Sequence, residues 1–191
     1  MDKINFKDSQ TYKNLEKSFE GEAAARVRYG FFSSQAKKDG LVHISNVFAE
    51  SSDNEKEHAE IWFKLLYGGT VPSTNECLDI AIANEKHEWS EMYAEFAKVA
   101  REEAKKYGDE KFEAIAKLFD GVGNVEKFHE SRYTDLKNEV LAGKTFTDEE
   151  EVYWWCMNCG TFVKGKTAPK LCPVCSHPQA YFIRKTVKIC D

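Results

Sequence analysis

Glu55-Lys56-Glu57-His58 and Glu126-Lys127-Phe128-His129 are two copies of Glu-x-x-His set inside long stretches of helical periodicity. Residues three apart share one face of a helix, so each copy offers a carboxylate and an imidazole to the same neighbour. Working outward, Ser51, Trp62 and Leu65 continue the face around the first copy, and Val122, Tyr133 and Leu136 that around the second. The steps alternate between three and four residues, which predicts two long helices. Two more stretches have the same texture. One carries Leu15, Phe19, Glu22, Arg26, Tyr29 and Ser33, the other Leu78, Ala81, Glu85, Glu88, Met92, Phe96 and Val99. In all four, an apolar stripe holds acid, or acid plus histidine, at its middle.

The punctuation agrees with four helices. The first starts near Asp8 or Ser9 and stops at Lys37-Lys38-Asp39-Gly40. Cations in a last turn followed by glycine are a stop signal. The second runs from about Val42 to Tyr67 before Gly68-Gly69. The third opens at Ser73 and Glu76, in capping-box spacing, and closes at Gly108. The fourth follows Asp109 and runs to about Ala142. A weak internal symmetry pairs Glu22 and Glu55/His58 with Glu88 and Glu126/His129. Beyond Gly143 the chain becomes short-ranged, aromatic and turn-rich. The expected domains are therefore residues 1–147, a four-helix bundle, and residues 148–191, a small β/turn-rich domain.

A buried carboxylate is paired, protonated or bound to metal, because desolvating its charge is costly. Five carboxylates and two histidines converge on these stripes, and Arg26 is the one cation available to offset them. Glu from two helices plus Glu-x-x-His from two others is the donor set of di-iron carboxylate bundles. Glu22, Glu88, Glu55/His58 and Glu126/His129 fit it. Oxygen-rich ligation with one imidazole per metal suits iron or manganese, with zinc open by ligand type. Glu85 is either a rim carboxylate or a seventh ligand. Tyr29 and Tyr93 are either hydrogen-bond donors to the carboxylates or ordinary packing. His87, His43 and His177 read as surface or local hydrogen-bonding residues.

Cys156-Met157-Asn158-Cys159-Gly160 and Cys172-Pro173-Val174-Cys175 form two Cys-x-x-Cys knuckles twelve residues apart. Four such thiolates close a tetrahedron around zinc or iron. A redox-active iron is favoured over a zinc ribbon here because the bundle site needs electrons. Cys77 and Cys190 stand apart from both knuckles. A net charge of −5 disfavours nucleic-acid partners. No apolar run is long enough to span a bilayer, and residues 1–10 lack a signal-peptide core, so the expected compartment is the cytoplasm. No glycine-rich dinucleotide fingerprint follows a strand, so direct nicotinamide binding is not expected.

Over nearly its whole length the chain resembles the rubrerythrins. The likeness is carried by Gly21-Glu22-Ala23-Ala24-Ala25-Arg26 with Tyr29, Gln35-Ala36-Lys37-Lys38-Asp39-Gly40, Glu55-Lys56-Glu57-His58, Glu85-Lys86-His87-Glu88 with Glu91-Met92-Tyr93, Glu126-Lys127-Phe128-His129-Glu130 and the two knuckles. The resemblance implies an all-α ferritin-like four-helix bundle with a non-haem di-iron centre, and a C-terminal rubredoxin-like domain with one iron on Cys156, Cys159, Cys172 and Cys175. It implies reduction of hydrogen peroxide to water, with electrons from an external donor such as a rubredoxin or an NAD(P)H-dependent reductase. Carried over by position, the di-iron ligands are Glu22, Glu55, Glu85, Glu88, Glu126 and His129. His58 corresponds to a ligand taken up on reduction as Glu85 leaves, and Tyr29 and Tyr93 to tyrosines beside the ligands. A head-to-tail homodimer is implied as well, one chain's cysteine centre serving the other's di-iron site. The helix from His129 to Gly143 would set the centres of one chain roughly 20 Å apart, which suits that arrangement. Three departures stand out: the short connection before the third helix, an insertion at Lys105 to Lys111 in the usual junction of the third and fourth helices, and Ser176 where free rubredoxins commonly have glycine. Iron storage, a redox-silent zinc module and dioxygen reduction are the competing expectations.

Overall fold

The computed structural model describes residues 4–185. It divides into two compact units, one ending at Ser73 and one beginning at Thr74. The first unit is a pair of helices, α1 (Gln10–Lys38) and α2 (Val42–Leu66), packed on each other. Ser9 caps α1, its hydroxyl accepting from the Tyr12 N–H at 3.1 Å. Gly40 (φ +77°) turns the chain into α2. Gly68 and Gly69 end α2 at positive φ, the Gly69 N–H donating to the Lys64 carbonyl.

The second unit begins with α3 (Thr74–His87), a π turn (Glu88–Met92) and α4 (Tyr93–Tyr107). These line up along the long helix α5 (Glu110–Leu141). Gly108 takes the left-handed conformation that ends α4, and Asp109 caps α5 through the Lys111 N–H. Three antiparallel strands follow in the order β2-β1-β3: β1 (Thr147–Cys156), β2 (Phe162–Thr167) and β3 (Phe182–Lys185). Their core is Trp154, Phe182, Cys156, Ala168 and Cys172, so two of the knuckle cysteines are part of the fold's own interior. Arg184 ties β3 to the end of α5, its guanidinium donating to the Lys144 and Thr147 carbonyls and pairing with Asp148 at 3.0 Å.

The predicted helices are found within a residue or two of the expected ends, with two differences. The third helix is not one continuous α-helix. The π turn interrupts it, the Tyr93 N–H donating to the Glu88 carbonyl five residues back. An apolar stripe of threes and fours cannot announce such a turn, because one extra residue leaves the pattern readable on both sides. The second difference concerns the stripes. In the first unit the buried helical residues are Ala36, Ser45 and Ala59; in the second they are Ala97, Ala100, Ala116 and Gly123. Small residues let two helix axes approach closely, and Ser33 and Ser45 hydrogen-bond across the seam of the first unit at 3.0 Å. The large stripe residues stay partly open: Ile44, Leu65, Phe96, Val99, Val122 and Leu136 are 39–46% exposed. Packing within each unit uses these small residues, Ser33 and Ala36 of the first helix among them.

Candidate metal centres

Three groups of donor atoms converge among the described residues: Glu22, Glu55 and His58; Glu85, Glu126 and His129; and Cys156, Cys159, Cys172 and Cys175. In each group the donor atoms lie within 4.8 Å of one another. The first group is held by α1 and α2. His58 Nδ1 meets Glu55 Oε2 at 2.8 Å, the geometry that i,i+3 spacing dictates. The second group is held by α3 and α5. His129 Nδ1 lies 2.7 Å from Glu126 Oε2 and 3.8 Å from Glu85 Oε2. The two groups are thus near copies, each with two carboxylates and one imidazole.

The second group settles the place of Glu85. Its side chain is only 19% exposed and turned towards Glu126 and His129, so it is not a rim carboxylate. Burial, then a hydrogen bond and charge repulsion from Glu126, push its pKa above the usual carboxylate range. Two such carboxyls sharing a proton are a site from which a cation can displace that proton.

Glu88 stays outside the close group, although its charge is felt by Glu85 and Tyr93. A π turn begins at Glu88. Residues five apart are brought over one another by an i→i+5 bond, which puts Tyr93 on the side of Glu88. Burial first, then the charges of Glu88 and Glu126, raise the Tyr93 pKa and keep its phenol protonated. Gly123 on α5 faces this turn, where a Cβ would stand at ordinary contact distance, 3.4 Å from Tyr93 Cβ and 4.0 Å from Trp89 Cα. Trp89 in turn donates its indole N–H to Glu130 at 2.6 Å. Tyr29 lies in an aromatic group with Phe32 and Phe48, ring centroids 6.1 and 6.2 Å away. His87 pairs with Glu91 at the surface and His177 donates to the Cys175 carbonyl, as expected of residues outside the metal groups. Cys190 lies outside the described residues.

At the four cysteines, Cys156 Sγ and Cys175 Sγ are 3.7 Å apart, and Cys159 Sγ and Cys172 Sγ 3.6 Å. A tetrahedron with metal–sulfur bonds of about 2.3 Å has edges of about 3.8 Å, so the thiols already stand at metal-binding separation. The two knuckles are built alike. The Gly160 N–H donates to the Cys156 carbonyl and the Ser176 N–H to the Cys172 carbonyl. Gly160 (φ +77°) and Ser176 (φ +56°) both adopt the left-handed conformation. That turn aims the next backbone N–H at a sulfur: Thr161 at Cys159 and His177 at Cys175. The His177 N–H lowers the Cys175 thiol to about 6. The Thr161 N–H acts the same way on Cys159, yet burial and the three neighbouring thiols push that group up to about 12. Ser176 therefore keeps the backbone shape and the sulfur hydrogen bond that glycine would supply. Neither Ser176's strain nor the Arg184 clamp was read from the sequence; Cys-x-x-Cys followed by a non-glycine was the one available signal for the former.

No described helix is long and apolar enough to cross a membrane. Residues 13–137 match the family model for rubrerythrin, and residues 154–183 the model for the rubrerythrin rubredoxin-like domain. The chain is 42% identical to the rubrerythrin of Nitratidesulfovibrio vulgaris, covering 93% of this chain and 95% of that one. It is 43% identical to the rubrerythrin of Porphyromonas gingivalis (93% and 91%) and 36% identical to a putative rubrerythrin of Methanocaldococcus jannaschii (97% and 96%). The helical part carries a di-iron site and the C-terminal part a rubredoxin-like site of Cys156, Cys159, Cys172 and Cys175, with Glu/His groups that could hold metal in the helical part. On both its helical and its cysteine-bearing segments, the chain belongs to the rubrerythrin family.

Proposed function

We propose that this protein reduces hydrogen peroxide to water, consuming two electrons and two protons per peroxide, in the oxidative-stress defence of a cell that lives with little oxygen. The observation that carries this reading is the pairing, on one chain, of two matched Glu/Glu/His groups with a tetrahedral set of four thiols. The first set suits a di-iron centre, whose chemistry when bound is to hold two electrons and deliver them to an O–O bond. The second suits a one-electron iron that replenishes it.

The ligand roles follow by position: Glu22, Glu55, Glu85, Glu88, Glu126 and His129 on the di-iron centre, and Cys156, Cys159, Cys172 and Cys175 on the single iron. His58 is assigned as the ligand that exchanges with Glu85. Its exposure supports that role, since a 53% exposed imidazole is free to swing towards or away from a metal. Tyr93, protonated and beside Glu88 and Glu126, holds a proton where a departing oxygen needs one. Tyr29 is assigned the same positioning role on the first group. We place the functional domains at residues 1–147 and 148–191. The reductant is an external rubredoxin or NAD(P)H-dependent reductase, and the chain works in the cytoplasm as a head-to-tail homodimer.

The test is an anaerobic titration of the reduced, iron-loaded protein with hydrogen peroxide. Rapid oxidation by one equivalent of peroxide per di-iron centre, with the thiolate-to-iron bands following, is the expected result. A chain loaded with about three irons that stays reduced after peroxide, while reacting readily with dioxygen, would overturn the assignment.

A further inference from the structure

We infer that Trp89 and Glu130 are a pair of positioning residues: their hydrogen bond sets the rotation of α5 against α3 and the π turn, and with it the meeting of Glu126 and His129 with Glu85. The inference rests on the di-iron reading of those donors and goes beyond it in saying what keeps them in register. The Trp89 indole N–H donates to Glu130 Oε2 at 2.6 Å, between residues 41 apart in the chain. Trp89 follows Glu88 in the π turn, and Glu130 follows His129 on α5. Each end of the bond is therefore one residue from a side chain assigned to metal.

The geometry of α5 makes that offset matter. Gly123, Lys127 and Glu130 are spaced four and three apart, so they form one stripe of the helix. All three meet Trp89. A Cβ on Gly123 would stand 4.0 Å from Trp89 Cα, Lys127 Nζ lies 5.0 Å from the centre of the indole ring, and Glu130 accepts the indole N–H. Val122, Glu126 and His129 form the same stripe moved back by one residue, about 100° round the helix. Both stripes belong to one hydrogen-bonded helix, so what fixes the first fixes the second. Donor atoms stand about 5–6 Å from the helix axis, the outer radius of a helix with its side chains. Turning α5 by about 10° would move them by about 1 Å, several times the tolerance of about 0.2 Å on a metal–ligand bond.

Packing alone does not hold the indole. Trp89 borders a cavity of about 350 Å³ that it shares with Tyr93, Asp120 and Asn124, so a ring without its hydrogen bond has space to turn. Further along α5, Lys137 pairs with Asp79 of α3. Asp79 is 57% exposed there, and a solvated pair on a flexible lysine holds geometry weakly. The Trp89 bond is partly buried, is accepted by a carboxylate and is carried by a rigid ring, which makes it the stronger constraint.

The test uses the full chain. Trp89→Phe keeps a ring beside Lys127 and removes the N–H, Glu130→Leu removes the acceptor, and Glu130→Gln keeps an acceptor oxygen. Anaerobic titration with ferrous iron against a chelator is expected to show an affinity for helical iron about ten- to a hundredfold lower in Trp89→Phe and in Glu130→Leu. The cysteine iron should be unchanged, and Glu130→Gln should stay close to wild type. The double variant Trp89→Phe/Glu130→Leu should lose no more than either single variant, since both remove the same bond. The Mössbauer signal of the helical iron that remains should differ from wild type in the two single variants and match it in Glu130→Gln. Wild-type affinity in Trp89→Phe, or losses that add in the double variant, would overturn the inference. Hydrogen exchange in the metal-free chain reads the bond without iron: Trp89→Phe should speed exchange at residues 88–93 by about tenfold with the strands unaffected. Unchanged exchange there also overturns it. Wild-type protein that takes up no helical iron, yet shows this exchange difference, would remove the di-iron reading and leave the Trp89–Glu130 constraint on α5 standing.

Discussion

Replacing Ser176 by glycine should stabilise the cysteine domain by about 0.5–1 kcal/mol. Ser176 has φ +56°, the sole positive value among the described non-glycine residues. Left-handed backbone costs an L-residue about 1–2 kcal/mol, because Cβ crowds the following carbonyl. Glycine removes that cost but adds conformational freedom to the unfolded chain, which returns about 0.5–1 kcal/mol. The difference is the predicted gain. The fold has no room to relax the strain otherwise, since the Ser176 N–H is held by the Cys172 carbonyl at 3.0 Å and the following N–H by the Cys175 sulfur. The matching position of the first knuckle, Gly160 at φ +77°, shows the same turn without the strain. The assay is guanidinium unfolding of the iron-loaded protein, followed by the thiolate-to-iron absorption. The expected order of midpoints is Gly above Asn above Ser, with Ala equal to Ser, because asparagine tolerates this conformation and alanine does not. If Ser176→Ala matched Ser176→Gly, backbone strain would not be the cause and the reasoning would fail.

Gly123→Leu should push Tyr93 and Trp89 off α5, since a Cβ takes up the contact distance to Tyr93 Cβ, 3.4 Å, and leaves no space for the three carbons beyond it; a cost of about 1–3 kcal/mol and loss of helical iron with the cysteine iron retained are expected, read by iron counting and thermal unfolding, and Gly123→Ala should be tolerated. Arg184→Ala removes the guanidinium from the Lys144 and Thr147 carbonyls and from Asp148; because this ion pair is partly solvated the loss should be about 1 kcal/mol, with faster hydrogen exchange confined to residues 144–148. Metal uptake by the apo cysteine site should strengthen as pH rises from 7 to 9. At pH 7 Cys175, at about 6, is already a thiolate, whereas Cys159, at about 12, must still lose its proton on binding, so affinity should grow about tenfold per pH unit for each proton displaced. A competition titration with a chelator at several pH values measures the slope, and a flat profile would contradict it.

Much of this protein is written in short-range patterns. Ser9 and Asp109 as caps, Gly40, Gly108 and Gly143 as stops, the two Glu-x-x-His pairs and the two knuckles act over three or four residues. They are legible because a helix face or a tight turn is determined by its immediate neighbours. The all-helical part, the small strand domain and the donor identities follow from them. Which donors meet is a different matter. Glu85, rather than Glu88, joins Glu126 and His129, and a π turn that the periodicity does not announce begins at Glu88. Of the buried seam residues, Ala36 lies on the stripe the sequence marks, whereas Ser45, Ala97 and Ala116 do not, because close approach of two axes depends on the partner helix and not on hydrophobicity along one. Arg184 reaches across from β3 to the end of α5, a contact no periodicity encodes. Local sequence thus determined the elements and the chemistry they carry; packing between elements distant in the chain decided which side chains meet, because contact between remote segments is a property of the assembled fold alone.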